Sequence, residues 1–141
     1  MNIFLRTVLF FISIVSLGCM ANNKDSSFQL FWNEFRTAVV EDNYANLEKL
    51  TKFPLEVRGV HDSMPIEYFK NDEFKIIFDR IMEQKIYSVH EEDLVLTNMK
   101  AIVNDTELVS DMKNGDQYRV EQLVFDYIDG QWFFTNAYLE E

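Results

Sequence analysis

The chain has 141 residues, 48% of them hydrophobic, with 13 Lys+Arg against 24 Asp+Glu for a formal net charge of −11. That length accommodates one domain, the apolar fraction supports a packed core rather than disorder, and the acidity repels nucleic acid and anionic lipid. A single cysteine, Cys19, excludes a disulfide within the chain.

"MNIFLRT" carries one charge, Arg6, and "TVLFFISIVSLG" then runs from Thr7 to Gly18 with none. Those twelve residues match the apolar region of a signal peptide and fall short of a bilayer span, which needs roughly 18 to 20. Ser16, Leu17, Gly18 and Cys19 together resemble the lipobox of bacterial lipoproteins, whose signal peptidase cuts before a cysteine that then carries lipid. Gly18 suits the small position before the cut, while Ser16 stands where the pattern prefers Leu, Val or Ile. The resemblance implies a signal peptide over 1–18, lipid on Cys19, and a place in the bacterial cell envelope. Met20 after the cysteine implies, by similarity to enterobacterial sorting, the outer membrane. Several acyl chains on one residue anchor firmly, since each buried CH₂ contributes about 0.8 kcal/mol. Cleavage removes Arg6 and no acid, which leaves 12 Lys+Arg against 24 Asp+Glu and a net charge of −12. With its thiol alkylated, the mature chain offers no cysteine to a metal.

"ANNKDSS", residues 21–27, is short and polar and reads as a tether, so 19–27 is expected to link the lipid to a single domain over 28–141. Phe28, Phe31, Trp32, Phe35 and Val39 recur at steps of three and four, which predicts an amphipathic helix. A second, short helix follows Asn43 as its cap, with Leu47 and Leu50 apolar. In "KFPLEVRGV" Pro54 forbids a helix and the alternation of Leu55, Val57 and Gly59 predicts a strand. "HDSMPIEYF" reads as a loop with a short strand. Asn71 is expected to cap a third helix whose buried stripe is Phe74, Ile77, Phe78 and Ile81. From Ile86 to Asn104 the helical and strand periods both fit in part. "TELVSDM", "QYRVEQLVFDYI" and "QWFFTNAYL" are β-rich, with Asn114-Gly115 and Asp129-Gly130 as hairpin turns. In the middle run Tyr118 and Val120 share one parity, and Leu123, Phe125 and Tyr127 the other. An extra residue near Glu121-Gln122 would reconcile them, which predicts a β-bulge.

Helix, helix, strand, helix and a bent antiparallel meander is an order that resembles the nuclear-transport-factor-two-like (cystatin-like) superfamily. "FWNEFRTAVVEDNYANLEKLTKFPLEVRG", Phe31 to Gly59, is similar to small exported bacterial proteins with FW-x-x-FR-x-AV, an acidic turn, then FPL and a glycine. "DGQWFFTNAYL", Asp129 to Leu139, resembles that superfamily's closing hairpin. The similarity covers most of 28–139, with a gap at about 85–105. It implies an α+β fold, a bent sheet around the long helix, shaped as a cone with a pocket at its open end. It implies no single activity, because that fold hosts isomerases, dehydratases and binders alike.

Enzymes of this fold place an acid–base pair inside the cone, for which His61, Asp62, Tyr68 and Asp126 are the candidates here. His61 lies among turn residues, where a solvated histidine is the commoner outcome. "HEED", His90 to Asp93, lacks the second histidine of H-E-x-x-H and reads as an exposed acidic run. "DMKNGD", Asp111 to Asp116, lacks the alternating ligands of a calcium loop and reads as a hairpin. No metal and no cofactor are expected. The favoured reading is a non-enzymatic envelope lipoprotein that binds a small apolar ligand or a protein partner. Trp32, Phe78, Phe125 and Trp132 would form the pocket wall, with Arg58 and His61 at its rim. One alternative is an immunity- or inhibitor-type lipoprotein capturing a basic protein, with binding that weakens in salt. Another is a small isomerase or hydro-lyase built on His61 or Asp126.

Overall fold

The computed structural model describes residues 23–61, 63–90, 93–106 and 113–140; Cys19, the signal-peptide region, Asp62, Glu91, Glu92 and residues 107–112 lie outside the described residues. Among the described residues, four α-helices and eight strands form an α+β domain: α1 (Asn23–Val40), α2 (Tyr44–Lys49), β1 (Thr51–Gly59), β2 (Ile66–Phe69), α3 (Phe74–Glu83), β3 (Lys85–His90), β4 (Asp93–Asn98), α4 (Met99–Asp105), β5 (Lys113–Asn114), β6 (Gln117–Val120), β7 (Leu123–Ile128) and β8 (Gln131–Leu139). A six-stranded sheet has the order β2-β1-β8-β7-β6-β5, and β3 and β4 form a separate two-stranded ribbon. β1 and β8 run parallel, so the first and last strands of the domain meet at the sheet centre.

α1 begins five residues before the expected domain start, at Asn23. Two residues of the expected tether, Lys24 and Asp25, are tied to β5, β6 and the turn between them. Lys24 Nζ lies 2.6 Å from Asp116, Lys113 pairs with Asp25, and Tyr118 Oη donates to Asp25 at 3.0 Å. Asn43 caps α2 as expected, its side chain accepting from the Asn46 N–H at 3.1 Å. Asn71 does not cap α3. It opens a 3-10 turn, and the Glu73 carboxylate accepts from the Lys70 N–H at 3.0 Å instead. Gly59 closes β1 against Met64: a Cβ there would sit 2.1 Å from the Met64 Sδ.

The phase change near Glu121 has a different cause from the one expected. Glu121 and Gln122 are a two-residue turn joining β6 to β7, with Val120 opposite Leu123 and Glu121 at φ 49°. Reversing the chain in two residues puts Val120 and Leu123 on one face, so no inserted residue is needed. Irregularities in this sheet lie elsewhere: between β7 and β8, Phe125 faces Phe134 while Val124 faces Asn136, which leaves Thr135 as the extra residue, and the β1–β8 register shifts between Thr51 and Glu56.

Helices and sheet meet through rings. Phe28 stacks on Tyr118 with centroids 3.8 Å apart. Phe125, on β7, sits between four aromatic side chains of α1, with centroid distances of 5.7 Å to Phe28, 5.7 Å to Phe31, 5.7 Å to Trp32 and 5.2 Å to Phe35. Phe35 carries the packing on to Phe78 of α3 and Phe134 of β8. Offset and edge-on ring pairs add to the area they bury. Phe125→Ala is therefore expected to destabilise the fold by about 3 to 5 kcal/mol, read as a fall in the urea midpoint of unfolding; a loss under about 1 kcal/mol would show that the rings are not packed as described.

Candidate functional site

The six expected ligand-contacting residues occupy three separate environments. Trp32, Phe78, Phe125 and Trp132 are buried and meet one another or their neighbours ring to ring. Their polar edges are used as well. Trp32 Nε1 donates to the Thr106 carbonyl at 3.4 Å, and Trp132 Nε1 to Ser27 Oγ at 3.0 Å. Arg58 lies on the opposite face of the sheet, where its guanidinium pairs with Glu56. His61 is exposed beyond the end of β1, and its carbonyl accepts from the Met64 N–H at 2.9 Å. The six do not converge on one opening. Of the acid–base candidates, Tyr68 is exposed on the edge strand β2. Asp126 accepts from Gln117 Nε2 at 2.9 Å and from Thr135 Oγ1 at 2.5 Å on the outer sheet face. Among the described residues, no three His, Cys, Asp or Glu side chains gather as a metal would require.

The clefts lie around the packed interior. One of about 180 Å³ runs between the end of β1 and α3, with Gly59, Met64, Arg80 and Leu139 in its wall. Another of about 370 Å³ crosses the outer sheet face and is mostly polar, with Arg58 and Arg119 near Tyr138. The Arg119 guanidinium sits 4.5 Å over the Tyr138 ring, a cation–π contact. Arg58 is the register partner of Tyr138 across β1 and β8.

The β3–β4 ribbon is the part of the surface that the sequence reading passed over. Tyr87 pairs with Leu96 in register, and Leu94 lies two residues away on the same face. All three are open to solvent: Tyr87 66% exposed, Leu94 67% and Leu96 50%. Ile86, on the other face, is buried in the core. The ribbon's base is fixed by Gln84, one of two polar residues buried among those described. Its amide donates to the Tyr138 carbonyl at 3.0 Å and accepts from the Glu140 N–H at 3.1 Å, while its own carbonyl takes the Met99 N–H at 3.1 Å. One residue thus joins both ends of the ribbon to the end of β8, its backbone carbonyl reaching Met99 and its side chain reaching Tyr138 and Glu140. The signal was present in the sequence as Tyr87, Leu94 and Leu96 at strand spacing, masked by the helical stripe of Met99, Ile102 and Val103 directly after it.

Two ion clusters brace the helices. At the start of α1, Lys113 and then the Tyr118 hydroxyl hold the Asp25 carboxyl below its ordinary range, while burial and the Asp25 carboxylate push Tyr118 up to about 12. Between α2 and α3, Tyr44 donates to Asp79, and Lys75 Nζ lies 2.7 Å from Asp79 and 4.1 Å over the Tyr44 ring. Partial burial pushes Asp79 up, but Lys75 and the Tyr44 hydroxyl outweigh it and hold the carboxyl below its ordinary value.

No family model, curated protein or solved structure matches the chain. The site must therefore be judged on its own chemistry.

Because the folded Asp79 pKa is depressed, its stabilisation is fully present above the unfolded value of about 3.9 and is lost as pH falls through the folded value. Tyr44→Phe removes one donor, so the variant should be less stable than the parent at pH 7 by under about 1 kcal/mol, given that the cluster is partly solvated. The gap should close as the medium is acidified below that range. Unfolding midpoints of both chains across pH 2 to 8 test this (a span set by ordinary carboxylate titration, roughly 4). A gap that widens in acid would contradict it.

Proposed function

We propose that this chain is a non-enzymatic, lipid-anchored envelope protein that binds a protein partner, with its α+β domain in the nuclear-transport-factor-two-like arrangement. The fold assignment is supported by the element order and by the β1–β8 parallel pairing that brings the strand after the helix pair beside the closing strand. The observation that carries the functional reading is the filled interior. Phe28, Phe31, Trp32, Phe35, Phe125 and Phe134 occupy one another's faces, so the space an apolar ligand would take is held by side chains. Apolar surface is instead displayed outside, on Tyr87, Leu94 and Leu96, where a protein can cover it. The exposed His61 and the hydrogen-bonded Asp126 favour binding over acid–base chemistry. The net charge of −12 for residues 19–141 favours a basic partner, as an immunity- or inhibitor-type protein would have. Anchoring rests on the lipobox resemblance around Cys19.

Two measurements test this reading. Cells fed an alkyne-tagged fatty acid should label the parent chain and leave Cys19→Ser unlabelled; label on both, or on neither, removes the anchor. Native mass spectrometry of the purified chain should give the mass of the lipidated polypeptide alone. A stoichiometric small apolar molecule travelling with it would return the assignment to ligand binding.

A further inference from the structure

We infer that the apolar face of the β3–β4 ribbon, formed by Tyr87, Leu94 and Leu96, is the docking surface for a basic protein segment that presents an apolar stripe flanked by lysine or arginine. This deepens the proposed function and rests on its claim that the partner is a protein. Near its base the ribbon buries Ile86 on one face, on which Val95 further out is 43% exposed, and it shows three large apolar side chains on the other. A strand pair that is apolar on both sides belongs in the middle of a sandwich, and here the domain supplies one layer at the ribbon's base, over Ile86. Gln84, clamped to Tyr138, Glu140 and Met99, holds the ribbon's base, so the face is presented in a defined position. A preorganised surface loses less freedom on binding.

Charge selects the occupant. Lys85 is the one cation in β3 and β4, whereas β4 opens with Asp93; at the base Glu83 and Glu140 stand exposed beside Gln84, two acids against Arg80 in the cleft they share. Around them the mature chain carries 24 acids against 12 bases. A second copy would bring an equal negative charge against this face. A cationic amphipathic segment gains both the apolar contact and the attraction.

The test uses the lipidated full chain in phosphatidylcholine nanodiscs, with empty nanodiscs as reference. The probe is a synthetic amphipathic helix of leucine and lysine, compared with the same helix carrying glutamate for lysine. The lysine helix should bind roughly tenfold or more tightly than the glutamate helix, and should weaken as salt rises from about 50 to 300 mM. Leu94→Asp with Leu96→Asp should lose most of that binding, while Ile76→Asp, at an equally exposed position on α3, should retain it. Glu83→Gln with Asp93→Asn should flatten the salt dependence. Equal binding of both helices, an equal loss in Ile76→Asp, or equal uptake by empty nanodiscs overturns the inference. So does a dimer in sedimentation that Leu96→Asp dissociates, which would give the face to a second copy. A co-purifying small molecule would end the proposed function without altering these readings, so the two fail separately.

Discussion

Phe125 and the four rings of α1 around it form the contact on which the other packing depends. α1 alone is an amphipathic helix with too much aromatic surface to remain in water, and the sheet alone has an inner face with the same need. Their meeting aligns Phe28 with Tyr118, and Phe35 with both Phe78 and Phe134, so α3 and β8 are positioned by the same cluster. The two tryptophans add direction. Each indole N–H has an oxygen acceptor, and those bonds tie Trp132 to the start of α1 and Trp32 to the end of α4. Rings fill volume without regard to order; the two N–H bonds help to select one arrangement.

Much of the architecture was legible because hydrophobic period and turn chemistry agreed. α1, α3 and the two glycine turns follow directly from their spacing, and Gly115 and Gly130 have φ of 65° and 90°, the left-handed region those turns require. The failures are of one kind. At Glu121-Gln122 a turn without glycine or proline was read as continuous strand, because neither residue signals a reversal. From Ile86 to Asn104 two periods overlapped because two elements abut: Asn98 ends β4 and also caps α4, its side chain accepting from the Ala101 N–H at 2.8 Å. At Lys24 and Asp25, polarity indicated solvent, but partners on β5 and in the adjoining turn, 88 to 92 positions away, recruited both into helix. Contacts that distant leave no local trace.

The candidate surface escaped the sequence for a related reason. Aromatic richness suggested a lined pocket, yet composition cannot distinguish a ring facing a ligand from one facing another ring. Trp32, Phe78, Phe125 and Trp132 are of the second sort. Tyr87, Leu94 and Leu96 form an ordinary-looking strand pattern in sequence. They become informative only when the ribbon is found outside the main sheet, with Ile86 buried on its opposite face. The filled interior and the apolar face displayed outside it are what the proposed protein-binding role rests on.

The early start of α1 has a mechanical consequence. On the proposed lipid at Cys19, only four peptide steps would separate the anchor from Asn23, a leash of about 14 Å at full stretch. The near end of the domain would then lie within a headgroup's breadth of the bilayer. α1 is about 27 Å long for its 18 residues. Lys100 at the base of α4 bonds Asp42 just past the far end of α1, and β4 runs straight into α4. The ribbon is therefore rooted at the end of α1 remote from Asn23, so the proposed tether and the proposed docking face would join the domain at opposite ends of its longest helix.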